Sequence, residues 1–132
     1  MDRYDADTAP DSDAWLALAQ DQRVTLVAAH HRGPDALHVE PTNARMHAML
    51  HAMVETQAAS GDPPITGRTL ERLTADGLRR HAAVHMVADV LLKWMASGQP
   101  FDGAAYEAQL HKLDAGAWLG DRMRRELGPG PT

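Results

Sequence analysis

Two segments of the chain share a pattern of two histidines and one acidic residue, each four positions apart. The members are His47, His51 and Glu55 in the first segment, and His81, His85 and Asp89 in the second. Four residues advance an α-helix by about 6 Å and slightly more than one turn, so each set forms one stripe along a helix. The intervening residues are Ala, Met, Leu and Val, which indicates that both stripes face an apolar interior.

Metal binding is the chemistry that this spacing serves. Two imidazoles one helical turn apart can bind one ion from a single helix, and a carboxylate one turn further along can bridge to a second ion or orient a histidine. If the two helices pack antiparallel, each histidine pair faces the acid of the other helix, which matches the two-histidine, one-carboxylate triad of non-haem iron. If they pack parallel, a four-histidine ring with two bridging acids results. The long connection between the segments permits both directions.

We therefore predict that these six residues bind one or two metal ions per chain. The chain contains no cysteine, so it offers neither a thiolate zinc site nor an iron–sulfur cluster. The mixed nitrogen and oxygen donors favour iron, with zinc, manganese, copper and nickel as alternatives. His38, shortly before the first segment, is a candidate extra ligand. No further catalytic residue follows from the sequence.

The remaining histidines receive other interpretations. His30 and His31 come at the end of the first predicted helix, where a positively charged ring suits the helix dipole. His111 lies on a helix face that is expected to contact solvent.

The elements that would position the two stripes are all helical. Ala, Leu and Met dominate the chain, and β-branched residues are too few and too scattered for strands. The predicted helices, divided by Pro, Gly and capping residues, are Asp13–His30, Asn43–Ala59, a short helix after Thr66, Leu78–Ser97, Gly103–Leu113 and Gly116–Leu127. The sequence therefore predicts an all-α, single-domain helical bundle at 13–127, with a flexible N-terminal arm at 1–12 and a flexible tail at 128–132.

Composition argues against several classes of protein. Asp and Glu outnumber Lys and Arg by 18 to 13, and the net charge of −5 would repel a phosphate backbone, so no nucleic-acid partner is expected. No apolar run approaches the roughly 18 residues of a membrane span, and the first residues do not resemble a signal peptide. We expect a cytoplasmic protein without a membrane partner. A homodimer is a further expectation, because so short a bundle has few helices to cover its own site.

The two stripes and their surroundings resemble a bacterial family of small helical proteins, domain of unknown function 1841. In that family an Asn-led helix carries H-x-x-x-H-x-x-x-E-x-Q, and a Pro-rich turn, a second H-x-x-x-H-x-x-x-[acid] helix and a G-x-P-x-D-G-x-A-Y segment follow. The corresponding residues are Asn43, His47, His51, Glu55, Gln57, Asp62, Pro63, Pro64, His81, His85, Asp89, Gly98, Pro100, Asp102, Gly103, Ala105 and Tyr106.

The resemblance covers about Leu37 to Leu113 and departs from the family in two ways. Asp89 stands where the family has Glu, and the helix after it is about one turn short and lacks a W-x-A-Q-R stretch. The resemblance implies a shared fold and shared metal ligands, and it implies no activity.

The leading functional hypothesis is a small non-haem iron metalloenzyme, with one or two irons, that acts as an oxidoreductase on a small molecule with dioxygen. With zinc, the ion would activate a bound water instead. Three alternatives stay open: a non-catalytic, haemerythrin-like carrier or sensor of oxygen or metal, a structural zinc site in an interaction module, and bis-histidine haem ligation. A structural site is closed, whereas an enzyme needs an open coordination position.

Overall fold

The computed structural model describes residues 1, 3–31 and 44–117 of the chain. Within these residues all regular structure is α-helical, which confirms the predicted all-α helical bundle. The helices are α1 (Ser12–Ala17), α2 (Gln20–His31), α3 (Ala44–Ser60), α4 (Pro64–Ala75), α5 (Arg80–Ser97) and α6 (Gly103–His111). The tail at 128–132 and most of the predicted helix Gly116–Leu127 lie outside the described residues.

The predicted single helix Asp13–His30 is wrong, because the segment forms two helices. Leu18 ends α1 with extended backbone angles, φ −76° and ψ 149°. The guanidinium of Arg23 donates to the carbonyl oxygens of Trp15 and Leu16, at 3.1 and 3.0 Å. Carbonyls at a helix end need such partners, so this side chain stabilises the break. The break turns α1 so that it contacts α3.

The predicted C-terminal end of α5 and the predicted start of α6 are confirmed, whereas α5 begins at Arg80 rather than Leu78 and α6 ends at His111 rather than Leu113. Gly98 follows α5 with a left-handed backbone, φ 71°, which glycine adopts without steric cost. Asp102 caps α6 by accepting hydrogen bonds from the N–H groups of Ala104 and Ala105.

Two hydrophobic clusters share α3. Leu50 and Val54 belong to a cluster formed with α4, α5 and α6. Ala48 and Ala52, on another face of α3, belong to a cluster formed with the N-terminal arm, α1 and α2. Helix α3 is therefore the central element of the bundle, and its histidines lie where the two halves meet.

A buried polar network joins α3, α4 and α6. The side-chain oxygen of Gln57 accepts hydrogen bonds from the hydroxyls of Thr66 (2.7 Å) and Tyr106 (2.9 Å). Thr66 and Tyr106 are both completely buried, and burying such groups is costly unless they are hydrogen-bonded. Gln57 and Tyr106, which carry part of the family resemblance, thus hold helices together.

The N-terminal arm differs from the prediction of a flexible segment. Tyr4 is 2% exposed and Ala6 is fully buried. The Tyr4 ring packs against Trp15 with ring centres 5.6 Å apart, and its hydroxyl donates a hydrogen bond to Glu55. The sequence indicated a loose arm because it shows no apolar period, but one well-placed aromatic side chain is enough to dock it.

No helix in the described ranges combines the length and the apolar character needed to cross a membrane.

Because the N-terminal arm is docked, Tyr4→Ala and Leu16→Ala should lower the free energy of unfolding by unequal amounts. We expect Tyr4→Ala to lower the free energy of unfolding by about 3–5 kcal/mol, because a buried aromatic ring is lost. Leu16→Ala is the control, since Leu16 is 38% exposed and exposed sites usually change stability by less than about 0.5 kcal/mol. Urea denaturation followed by circular dichroism measures both. Equal, small effects would contradict docking of the arm.

Candidate functional site

Ring contacts between α3 and α5 show how the two histidine stripes meet. The ring centres of His47 and His85 are 5.3 Å apart, and those of His51 and His81 are 5.8 Å apart. The residue number rises on one helix as it falls on the other, so the two helices run antiparallel. The sequence had left this direction open.

The register of the antiparallel pair brings histidine opposite histidine. The prediction for antiparallel packing placed each histidine pair opposite the acid of the other helix. Instead, Glu55 lies opposite Arg80, and both oxygens of the Glu55 carboxylate accept hydrogen bonds from the Arg80 guanidinium, each at 2.7 Å. Four histidines therefore lie together, as expected for parallel helices, although α3 and α5 are antiparallel. The two helices are shifted along each other relative to the arrangement that would face each histidine pair with an acid.

Three of the predicted ligands form a triangle. The ring centres of His47 and His51 are 4.3 Å apart, those of His47 and His85 are 5.3 Å apart, and those of His51 and His85 are 5.8 Å apart. We call these three residues the histidine triad.

The four histidines of α3 and α5, His47, His51, His81 and His85, form what we call the histidine group, and they become more buried from one end of the group to the other. His51 and His81 are fully buried, and both ring nitrogens of each are inaccessible to solvent. His47 and His85 are partly exposed. The triad therefore includes the side of the group that solvent can reach.

His30 joins the group from α2, a position that the sequence prediction assigned to a helix end. Its ring centre lies 5.1 Å from that of His81, and its Nε2 atom is buried. A signal for this position exists in the sequence. Val24 and Val27 are both buried, and continuing their spacing by three residues leads to His30 on the same face of α2.

Glu55 is fully buried, and its carboxylate is engaged by other groups. Arg80 donates to both oxygens, and Tyr4 donates its hydroxyl to Oε2. Burial alone would lower the pKa of Arg80, but the hydrogen bonds and the charge of Glu55 raise it, so the guanidinium stays charged. The structure thus places Glu55 beside the histidine group with its oxygens bound to Arg80 and Tyr4.

Asp89 lies on the surface of α5. Its side chain is 45% exposed and forms an ion pair with Lys93 at 3.0 Å. It lines a surface cleft with Trp94 and other residues, none of them a histidine. The structure therefore does not bring Asp89 to the histidine group, because the register that faces histidine with histidine leaves the acid at the far end of its stripe.

The arm also contacts the start of α5. Asp7 accepts a hydrogen bond from the backbone N–H of His81 at 3.1 Å and pairs with Arg79. Burial alone would raise the pKa of Asp7, but the hydrogen bonds from Arg79 and the His81 N–H and the charge of Arg79 lower it. The ionised carboxylate thereby caps a helix whose N-cap residue, Arg79, supplies no side-chain cap.

As the side chains stand in the described ranges 3–31 and 44–117, no group of three or more histidine, aspartate or glutamate residues is arranged to hold a metal ion. His38, the candidate extra ligand, lies outside those ranges. The described donors near the triad are imidazole nitrogens, because Glu55 and Asp89 are bound elsewhere.

No family model, curated protein or solved structure matches this chain. The resemblance to domain of unknown function 1841 therefore stays a prediction.

The two tyrosines of the chain provide a test of the buried polar groups. Burial raises the pKa of Tyr4, and the charge and hydrogen bond of Glu55 raise it further. Burial also raises the pKa of Tyr106, more than its hydrogen bond to Thr66 lowers it. Both folded-state pKa values exceed the unfolded value of about 10. The contribution of the two buried phenols to the free energy of unfolding is therefore complete below pH ~10 and is lost as the pH rises further.

We expect the native protein to show less tyrosinate absorbance near pH 10 than the urea-unfolded control, which is half ionised there, because burial raises both pKa values. The absorbance should appear only as the helical circular dichroism signal disappears. Half-ionisation near pH 10 with the helices intact would show that the phenols are not buried as described.

Proposed function

We propose that this chain is a transition-metal-binding protein and that the histidine triad His47, His51 and His85 is its principal ligand set. The observation that carries the proposal is the mutual spacing of three imidazoles, with ring centres 4.3–5.8 Å apart.

Coordination geometry supports this assignment. A ring nitrogen that binds a transition metal lies about 2.0–2.1 Å from it, so the ring centres of two ligands on one ion are roughly 4.5–5.5 Å apart. The 5.3 Å separation of His47 and His85 lies within this range, and the other two separations, 4.3 and 5.8 Å, lie just outside it. The side chains of the described residues do not converge on a metal as they stand, so binding requires the three rings to turn about their side-chain torsions.

The chemistry of the donors bears on the choice of metal. Imidazole suits zinc, copper, iron and nickel, whereas manganese prefers oxygen ligands. The iron hypothesis began from a mixed set of nitrogen and oxygen donors, but Glu55 is bound to Arg80 and Asp89 to Lys93. We therefore propose zinc, copper, nickel or iron, with manganese last.

Exposure of two triad members supports an open site. His47 and His85 are partly exposed, so three protein ligands would leave a coordination position that water, dioxygen or a small substrate can reach. A structural zinc site is closed by four protein ligands. This favours an enzyme or a reversible carrier over a structural role.

The reaction depends on the ion. Bound iron or copper would supply redox chemistry with dioxygen, and bound zinc would supply an activated water. The residues of this chain would hold the ion, and His51 would do so from a dry interior in which electrostatic interactions are strong. An oxidoreductase that acts on a small molecule is thus the function proposed for an iron- or copper-loaded protein, with an oxygen carrier as its non-catalytic counterpart.

Equilibrium dialysis against zinc, copper and iron tests the metal proposal. We expect at least one equivalent to bind to the wild type, and His51→Ala and His85→Ala to bind at least ten-fold more weakly, because each removes a ligand. His111→Ala is the matched control, since its side chain is 63% exposed and lies beside Glu107 on α6. Unchanged binding by both triad variants, or binding by none of the proteins, would overturn the proposal.

A further inference from the structure

The histidine group has a local two-fold relation that the proposed triad does not use. Helices α3 and α5 carry the same histidine spacing and run antiparallel. Exchanging the helices maps His47 onto His81 and His51 onto His85. The exchange relates the pair His47 and His85, with ring centres 5.3 Å apart, to the pair His81 and His51, with ring centres 5.8 Å apart. A pair of facing imidazoles, one from each helix, therefore occurs twice.

The second pair has a third imidazole beside it. His30 lies with its ring centre 5.1 Å from that of His81, within the range of roughly 4.5–5.5 Å that two ligands of one ion require, whereas the 5.8 Å between His51 and His81 lies just outside it. His30 comes from α2, so this end of the group is built from three helices. Its Nε2 atom is buried, as are both ring nitrogens of His81.

His51 lies between the two halves. Its ring centre is 4.3 Å from that of His47 and 5.8 Å from those of both His81 and His85. An imidazole has two ring nitrogens, and both of those of His51 are buried. Once its N–H proton is lost to solvent, His51 can contribute one nitrogen to each half as a bridging imidazolate.

We infer that the group holds two ions, with a second metal site formed by His30 and His81 and completed by His51. This inference rests on the proposed function, since it adds a second ion beside the triad. His30 becomes a ligand, a role that the spacing of the two stripes does not predict.

Charge selects the kind of ion that fills both sites. His51 as a bridging imidazolate brings one negative charge, the other imidazoles are neutral, and the buried carboxylate of Glu55 is already balanced by Arg80. Two divalent cations close together in a low-dielectric interior repel each other strongly, whereas two monovalent cations repel one quarter as much. Copper(I) is a monovalent ion of a metal that imidazole suits. We therefore assign copper(I) to both sites.

Anaerobic titration of the full chain with copper(I) tests the inference. The wild type should bind two equivalents, and His30→Gln and His81→Gln should each bind one. His111→Gln, the exposed control, should bind two. Two variants of the second site are used so that one remains informative if the other does not fold, as judged by circular dichroism.

Oxidation of the loaded protein gives a second readout. Two copper(II) ions that share His51 are magnetically coupled, so the electron paramagnetic resonance signal of the wild type should integrate to well under two spins. That of His30→Gln should integrate to one.

The outcomes separate the two proposals. One equivalent in the wild type, unchanged in His30→Gln and His81→Gln, would overturn the second site and leave the triad standing. Two uncoupled spins would place the second ion away from His51 and would also overturn it. No bound copper, together with no binding of zinc or iron, would overturn both proposals.

Discussion

The ion pair between Glu55 and Arg80 determines how the rest of the site is arranged. It is bidentate, with two N–O distances of 2.7 Å, and Glu55 is completely buried. A buried pair of this kind adds little net stability, but removing one partner leaves a buried charge that costs about 3–5 kcal/mol. Any slip of α5 along α3 would have the same effect. With Glu55 held opposite Arg80, the next turns bring the histidines of one helix opposite those of the other.

The N-terminal arm completes this arrangement from outside the two helices. Tyr4 donates to Oε2 of Glu55, which also accepts from Arg80, and the Ala6 carbonyl accepts from Arg80 at 3.2 Å. Asp7 caps α5 at His81. The arm thus supplies hydrogen bonds to polar groups of the ion pair that would otherwise be buried against apolar side chains. It also covers the deep end of the histidine group and leaves the end with His47 and His85 open to solvent.

The sequence predicted the helices well and their relative placement poorly. The two histidine stripes, the end of α5 at Gly98 and the cap at Asp102 follow from local periodicity and backbone chemistry, which act within a few residues. The offset between α3 and α5 depends on the contact between Glu55 and Arg80, which are 25 positions apart. Nothing in the sequence around Arg80 indicates that it pairs with Glu55. His30 was missed because its neighbours in space come from another helix. Glu55 and Asp89 were placed on the correct stripes, but the local pattern does not tell which charged partner an acid meets.

Imidazoles from α3 and α5 are proposed to bind a transition metal, and the functional assignment depends on this binding. X-ray absorption spectroscopy on protein purified without an affinity tag or a metal column, combined with elemental analysis of the same sample, measures it. We expect a stoichiometric metal whose nearest ligands are mainly nitrogen at about 2.0–2.1 Å, with the more distant scattering of imidazole rings. A sample that contains no metal and takes up none when it is offered, or a metal bound by oxygen alone, would show that the histidines do not form a metal site.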